Sequence, residues 1–337
     1  MRRWLQLTRA HTAPLETVPA LVGALLATNG EITQGVLLWG VAGVMYHLSG
    51  YGMNSYADWS GGFDKDDPFK QHHPLNNGSL DPDRAKAFVY VLFFFTTVYT
   101  YYLALIYGSP IAAVVITIGV IAGVLYNYVG KYTEHKYMFI SAAHMTMFIA
   151  PYVSLGGNEP AIVVLGGGLV FTWVVYQIAV SGEIKDIVMD EANLLKDEFN
   201  VRVNKAESCN VDVVAEESYI YNTAEAQVYG AVLRIVIGLF GIALALYLGS
   251  IPAAALVALI SLATIYFSSE MLQSGAYKRG MRIQDMSMIE TCTLGILLVS
   301  TLPLLGTSTA LTIFVASGLW LVSFNLYLWG TVIAPEV

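Results

Sequence analysis

The chain has 337 residues, of which 56% are hydrophobic and 12% are charged, with a mean hydropathy of +0.59 and a formal net charge of −8. A soluble domain carries about 25% charged residues, so this composition excludes an ordinary soluble protein. Repeated apolar runs of about 20 residues instead predict a polytopic α-helical membrane protein. The modest negative charge lies between these runs, so no nucleic-acid partner is expected. Two cysteines predict neither a disulfide framework nor a metal site.

Ten apolar segments follow one another along the chain. Backbone groups in lipid must be hydrogen-bonded within the protein, so each segment is predicted to be a helix. Because many further spans follow the first, we interpret it as a retained helix rather than a cleaved secretory signal. The segments run over 12–28, 34–53, 86–107, 110–129, 137–154, 160–181, 226–248, 251–269, 287–305 and 308–332.

The basic residues test this helix count. If alternate loops face opposite sides, 16 of the 17 basic residues lie on one side, and Arg234 lies inside the seventh segment. The positive-inside rule places that side and both termini in the cytoplasm. We therefore expect an integral protein of the cell membrane whose two large polar loops, 54–85 and 182–225, face the cytoplasm. Arg234 is expected to snorkel toward the same interface.

The first large loop begins with an acidic motif. Asn54 and Asp58 are four residues apart, so a continuing second helix places both on one face. The pair Gly61-Gly62 breaks the helix and lets the chain return Asp64 toward Asp58. Further acids nearby are interpreted as ordinary loop charge: Asp66, Asp67 and Asp81.

The second large loop begins with a similar row. Glu183, Asp186 and Asp190 lie on one face at the end of the sixth helix, and Asn193 extends the row. Oxygen ligands of this kind suit Mg²⁺, which typically takes one or two carboxylates together with phosphate oxygens. Solvated loop charge is the alternative, but two matched motifs on one membrane side favour a metal and diphosphate site. Lysines would neutralise the remaining phosphate charge: Lys65, Lys70, Lys131 and Lys185.

The first motif resembles that of the UbiA superfamily of intramembrane prenyltransferases, in the variant Asp-x-x-x-Gly-x-Asp. Asn54, Asp58, Gly62 and Asp64 carry this resemblance. It extends over about residues 8–305. Ser55 is a departure, because the family often has a second aspartate there, and this places one metal ligand in question.

Further parts of the chain are similar to the same family. Asp186 and Asp190, preceded by Lys185, resemble the second motif, Asp-x-x-x-Asp. Tyr126 and Lys131 resemble a Tyr-then-Lys element after the fourth helix. The stretch 72–88 resembles the segment before the third helix, although His73 replaces the usual arginine and implies a weaker, pH-sensitive phosphate contact. The family core has nine helices, so segment 308–332 would be an addition.

The resemblance implies one membrane-embedded prenyltransferase domain over residues 1–337. Its expected fold is an all-α bundle of nine to ten transmembrane helices around a central apolar chamber, capped on the cytoplasmic side. Its implied reaction is the Mg²⁺-dependent ionisation of an isoprenyl diphosphate, with transfer of the prenyl group to a hydrophobic acceptor, an aromatic quinone precursor or a lipid. The expected partners are therefore that diphosphate, the acceptor and membrane lipid.

The resemblance also implies roles for individual residues. The catalytic residues are expected to be Asp58, Asp186 and Asp190. The metal ligands are expected to be Asn54, Asp58, Asp64, Glu183, Asp186 and Asp190. The substrate-binding residues are expected to be Asn54, Lys65, Lys70, His73, Tyr126, Lys131 and Lys185.

Two other functions fit parts of the sequence. One is prenyl addition to a carotenoid or to a glycerol-phosphate lipid. The other is cation-coupled transport, with Arg234 or His144 on a substrate path. Transporters tend to place such acids near the bilayer midplane, whereas these acids lie at one membrane face, which favours the enzyme. His47 and His144 lie within spans, where an interhelical hydrogen bond is expected ahead of a catalytic role.

Overall fold

The computed structural model describes residues 1–63, 70–133, 135–188, 193–204 and 218–332. Within these ranges the regular secondary structure is helical apart from one small sheet, which confirms the predicted all-α class. A helix lies in each of the ten predicted segments. The helices are α1 Arg2–Leu7, α2 Pro14–Ala27, α3 Gln34–Gly61, α4 Pro82–Ile106, α5 Pro110–Tyr128, α6 Lys136–Ser154, α7 Pro160–Tyr176, α8 Glu183–Asp186, α9 Leu194–Asp197, α10 Ala224–Tyr247, α11 Ile251–Met271, α12 Arg279–Ser300, α13 Leu302–Leu305 and α14 Thr307–Trp329.

Six helices among the described residues are long and apolar enough to cross a membrane: α4, α5, the continuous run Pro160–Asp186, α10, α11 and α14. The other long helices, α2, α3, α6 and α12, are shorter or more polar. The integral-membrane character is therefore supported, while the count of nine to ten spans, the central chamber and the cytoplasmic cap stay predictions.

The chain divides into two compact units, and the expectation of one domain over residues 1–337 stays a prediction. The first unit comprises Met1–Val163 and Leu304–Val337. In it α2 packs on α3 and α6, α3 packs on α4, and α5 packs on α6. The approach of α2 to α6 needs Gly23, where an added Cβ would lie 2.2 Å from the carbonyl oxygen of Phe148.

Helix α14 belongs to the first unit. Trp320 Nε1 donates to the carbonyl oxygen of Ala10 at 2.8 Å. Arg2 and Gln6 both donate to the carbonyl oxygen of Leu328, near the end of α14. These contacts satisfy a helix-terminal carbonyl that has no partner within the helix. The segment predicted as an addition to the family core is thus fastened to the amino terminus.

The second unit is Val164–Pro303. Here α11 packs on both α10 and α12. A three-stranded antiparallel sheet joins β1 Arg202–Asn204, β2 Tyr219–Tyr221 and β3 Gly275–Ala276 in that order. Arg202 pairs with Tyr221, and Tyr219 pairs with Ala276. The sheet was not predicted, because strands of two or three residues give no periodic signal.

Candidate active site

The first acidic motif occupies the last two turns of α3. The helix continues through Asn54 and Asp58, as predicted, and Asn54 Nδ2 donates to Asp58 Oδ2 at 3.0 Å. Asp58 is buried and Asn54 is half-buried. The two residues are one helical turn apart, so the amide and the carboxylate lie on one face of α3. The hydrogen bond between them holds the carboxylate in place. Ser55, the departure from the family motif, is completely buried.

Glycine ends α3 directly after this pair. The helix stops at Gly61, and Gly62 takes a left-handed conformation with φ of 83° that a side chain would disfavour. The backbone N–H of Phe63 then returns to the carbonyl oxygen of Asp58 at 3.0 Å. This confirms the predicted break. Asp64 and Lys65, and with them Asp66 and Asp67, lie outside the described residues.

The segment after this break folds around His73. Its backbone N–H donates to the carbonyl oxygen of Lys70 at 2.9 Å, and its Nδ1 accepts weakly from the N–H of Leu75 at 3.4 Å. Burial, together with the positive charges of Arg9 and Lys70, lowers the pKa of His73 to about 3. The imidazole is therefore neutral at physiological pH and offers no cation to a phosphate. Phosphate binding by Lys70 and His73 stays a prediction.

The predicted Tyr-then-Lys element also lies in the first unit. Tyr126 is half-buried in the last turn of α5, and Lys131 lies in a short 3₁₀ turn, Gly130–Tyr132. The side chain of Lys131 lies outside the description. Asp81 caps α4, because its Oδ1 accepts from the N–H of Arg84 at 2.9 Å, which fits the interpretation of Asp81 as a structural charge.

The second acidic motif follows a π-helical turn. The run from α7 passes through Gln177–Gly182 in π conformation before α8. Turns of this kind are rare in proteins, and those that occur often lie at functional sites. The extra residue in the turn changes which side chains face inward. The α-helix ends at Asp186, so the predicted helical spacing holds for Glu183 and Asp186. Asp190 lies outside the described residues.

Glu183 caps a helix. It is buried, and its Oε2 accepts from the N–H of Leu194, the first residue of α9, at 2.8 Å. Asn193 Nδ2 donates to the carbonyl oxygen of Glu183 at 2.8 Å, and Asn193 Oδ1 accepts from the N–H of Leu195. A carboxylate at a helix amino terminus is favourable. Asn193, predicted to extend the acidic row, thus also connects the first turn of α9 to Glu183 of α8.

Asp186 lies between two cations. Arg279 Nη2 donates to Asp186 Oδ1 at 3.0 Å, and Lys185 Nζ lies 3.7 Å from Asp186 Oδ2. The hydroxyl of Tyr277 donates to the carbonyl oxygen of Lys185. Arg279 begins α12, 93 residues after Asp186. It was counted among the basic residues of one membrane side but was not predicted as a site residue, because no local motif joins it to Asp186.

The family model for UbiA prenyltransferases matches residues 17–196. This stretch is more than half of the chain and contains both acidic motifs. The chain belongs to the UbiA prenyltransferase family. The predicted resemblance is therefore confirmed. No curated protein matches the sequence significantly.

Solved structures agree with the fold of this UbiA protein. A digeranylgeranylglyceryl phosphate synthase aligns with a TM-score of 0.61 at 16% identity, covering 90% of this chain and 98% of its own. The apo UbiA homologue of Aeropyrum pernix K1 aligns at 0.62 with 15% identity, covering 84% and 94%. An Archaeoglobus fulgidus UbiA homologue bound to GPP and Mg²⁺ aligns at 0.59 with 12% identity, covering 88% and 99%. Identities this low establish the fold alone.

The side chains at the end of α3 fit a hard divalent cation. A buried carboxylate at Asp58, held by a neighbouring amide, is the kind of oxygen donor that Mg²⁺ prefers. Asp186 differs, because its carboxylate already forms ion pairs with Arg279 and Lys185. This arrangement places one carboxylate beside a guanidinium and an ammonium group, both of which can donate hydrogen bonds to phosphate oxygens. Clusters of three or more metal-binding side chains are absent from the described part of the chain.

Arg234 of the UbiA protein does not snorkel, so that expectation is wrong. Its side chain is completely buried in the second unit, where Nη2 donates to Thr293 and the guanidinium carbon lies 4.6 Å from the ring centre of Tyr176. Trp173 Nε1 donates to Glu290 at 2.5 Å in the same unit. The packing of α7, α10 and α12 makes a polar interior in which a buried hydrogen bond and a cation–π contact replace solvent.

Proposed function

We propose that this protein transfers a prenyl group from an isoprenyl diphosphate to a hydrophobic acceptor, with Mg²⁺ as the divalent cation. The observation that carries this proposal is the hydrogen bond between half-buried Asn54 and buried Asp58 at the glycine-terminated end of α3. It lies within a stretch matched by the UbiA prenyltransferase family. Mg²⁺ typically binds one or two carboxylates together with phosphate oxygens of the substrate, and a carboxylate held in place suits this role.

The proposed metal ligands are those of both acidic motifs: Asn54, Asp58, Asp64, Glu183, Asp186 and Asp190. Bound Mg²⁺ would supply positive charge to the diphosphate leaving group. Asn54 orients Asp58 for this purpose through its hydrogen bond. The carboxylates Asp58, Asp186 and Asp190 are the proposed catalytic residues, since they would hold the cation against the diphosphate, whose negative charge grows as the carbon–oxygen bond breaks.

Cationic side chains would bind the phosphate oxygens directly. Lys185 and Arg279 both lie against Asp186, so they are held at the second acidic motif. Their charge would stabilise the departing diphosphate by preorganised electrostatics, which is worth about 3 kcal/mol for a single well-placed donor. The other proposed substrate-binding residues are Asn54, Lys65, Lys70, His73, Tyr126 and Lys131.

The acceptor is proposed to be an apolar molecule that reaches the protein through the bilayer, either an aromatic quinone precursor or a lipid. Acceptors that are carotenoids or glycerol-phosphate lipids form the alternative class. We further propose that the acidic motifs face the cytoplasm of a cell membrane. The support is the segregation of 16 of 17 basic residues to one predicted side.

The test is a reconstituted reaction. The full-length protein in lipid nanodiscs is incubated with labelled geranylgeranyl diphosphate, Mg²⁺ and a panel of aromatic, carotenoid and glycerol-phosphate acceptors. Acceptor-dependent release of pyrophosphate, accompanied by labelled prenylated product and abolished by a chelator, is expected for one acceptor class. Absence of product with every acceptor and several donor lengths, from protein that remains folded, would contradict the proposal.

A further inference from the structure

Three polar side chains from three helices meet inside the first unit. They are Glu16 on α2, His47 on α3 and His144 on α6, and none is more than 7% exposed. Glu16 Oε2 is hydrogen-bonded to His47 Nδ1, and Glu16 Oε1 is hydrogen-bonded to His144 Nε2 at 2.7 Å. One carboxyl group therefore ties α2 to both neighbouring helices. We call these three residues the Glu-His-His clamp.

The outer ring nitrogens show where the protons of the clamp must lie. His47 Nε2 lies 2.9 Å from the carbonyl oxygen of Arg9, and His144 Nδ1 lies 2.8 Å from that of Ile140. A carbonyl oxygen only accepts, so both outer nitrogens carry a proton. A neutral imidazole has a single N–H, so a neutral ring would turn a bare lone pair toward the carboxylate. Each inner hydrogen bond therefore needs a second proton.

The surroundings of the clamp suit this protonation. One carboxylate and two imidazolium rings leave one net positive charge. The ring of Tyr51 lies 4.4 Å from that of His47, and the ring of Tyr46 lies 5.8 Å from that of His144. Aromatic faces stabilise cations. Two other titratable groups act on the clamp. The guanidinium of Arg9 lies over Tyr51, and its positive charge opposes the added protons, whereas His11 in the turn Ala10–Thr12 is neutral because burial lowers its pKa to about 3.

Arg9 supplies its carbonyl from an unusual conformation. Its φ of 47° is left-handed, which is sparsely populated for a residue other than glycine. In this conformation the carbonyl oxygen accepts from His47 and also from the N–H of Thr12 at 3.0 Å. Strained backbone of this kind persists where the surrounding contacts require it.

The clamp lies on the helix that carries the first acidic motif. His47 precedes Asn54 by seven residues, so the two side chains share one face of α3 about 10 Å apart along its axis. We propose that Glu16, His47 and His144 form a doubly protonated clamp that positions the Asn54–Asp58 end of α3. The effect of the clamp on metal binding rests on the proposed function, whereas its protonation does not. Glu16 would act on the metal site only through α3, and it is therefore a positioning residue.

The protonation is measured on the wild-type protein by ¹⁵N NMR with labelled histidine at about pH 6, just below the ordinary histidine pKa. His47 and His144, assigned through His47→Gln and His144→Gln, are expected to show two protonated ring nitrogens each. His11 and His73, whose pKa is lowered to about 3 by burial, are expected to show one bare nitrogen and serve as references. A bare nitrogen on His47 or His144 would overturn the proposal.

The positioning is measured with Glu16→Gln, because glutamine replaces one accepting oxygen by a donating NH₂ group. The matched control is Glu31→Gln, which removes an exposed carboxylate after α2. Glu16→Gln is expected to create a bare nitrogen on one clamp imidazole. It is also expected to raise the Mg²⁺ concentration for half-maximal activity about tenfold, as loss of a residue that orients metal ligands does. Wild-type signals and wild-type Mg²⁺ dependence in Glu16→Gln would refute the positioning role. If the protein proves inactive, the NMR result still decides the clamp.

Discussion

Arg279 Nη2 donates a hydrogen bond to Asp186 Oδ1 at 3.0 Å and thereby joins the start of α12 to the end of α8. Both side chains are largely withdrawn from solvent, with 6% exposure for Arg279 and 20% for Asp186. Charge-assisted hydrogen bonds of this kind are about twice as strong as neutral ones. The pair thus fixes a carboxylate and a guanidinium at one place in the second unit.

Replacement of this arginine tests its part in the reaction. Arg279→Gln is expected to lower kcat/KM for the isoprenyl diphosphate about 100-fold, because a preorganised donor to the leaving group is lost. Lys278→Gln is the matched control, since it removes an exposed positive charge one residue earlier. Steady-state pyrophosphate release measures both variants. Equal activity of the two variants would show that Arg279 only shields Asp186.

Glu183 was predicted as a metal ligand, and its contact with Leu194 gives it a capping role. Glu183→Gln keeps an oxygen that accepts from the N–H of Leu194 but removes the charge. Because Glu183 is also a proposed metal ligand, we expect this variant to lose at least about tenfold in activity at unchanged stability. Glu183→Ala is expected to lose in addition about 1 kcal/mol of stability through the lost cap. Activity and thermal unfolding are compared, and wild-type activity in Glu183→Gln would limit Glu183 to the capping role.

Acid stability tests the neutral state of His73. Its pKa is lowered by burial to about 3, below the value of about 6.5 in the unfolded chain. The unfolded state therefore binds more protons between these values, and stability falls as the pH drops below about 6.5. Between about pH 7.5 and pH 5, His73 should cost about 2 kcal/mol of unfolding free energy.

The variant His73→Gln should remove this part of the pH dependence. Chemical unfolding in mild detergent, followed at several pH values, measures the difference from the wild type. The exposed His135 supplies the control variant, His135→Gln. An unchanged slope in His73→Gln would mean that the imidazole is not held neutral.

The buried contact between Arg234 and Thr293 predicts a stability difference between two threonines of α12. Thr293→Val removes the acceptor of a completely buried guanidinium and is expected to cost about 2 kcal/mol. Thr291→Val, on the exposed face of the same helix, removes only a hydrogen bond to its own turn and should change little. Thermal unfolding followed by tryptophan fluorescence compares them. Equal midpoints would contradict the buried contact.

The sequence predicted the helices well because membrane spans are long and strongly apolar. Their ends were less certain. Helix α12 begins at Arg279 rather than near 287, since the polar side chains of its first turns do not register as lipid-facing. Helix α3 runs to Gly61, beyond the apolar segment that ended at 53, because the acidic motif is itself helical.

The candidate site was predicted only where its residues are neighbours in sequence. Asn54 and Asp58 are one helical turn apart, so their spacing is informative. Arg279 meets Asp186 across 93 residues, and Glu16 meets His144 across 128. Such contacts depend on which helix faces pack together. A single acid in a short apolar segment carries no periodic signal of its partner, so Glu16 was missed while both histidines were noticed.

The most direct test of the proposed function is prenyl transfer by variants of the two acidic motifs. Asp58→Ala and Asp186→Ala are compared with Asp83→Ala, an exposed carboxylate in the first turn of α4. With labelled geranylgeranyl diphosphate, Mg²⁺ and the active acceptor, the first two variants are expected to lose at least about 100-fold in kcat, and Asp83→Ala to match the wild type. Wild-type turnover by folded Asp58→Ala and Asp186→Ala would contradict the assignment of both motifs to the reaction.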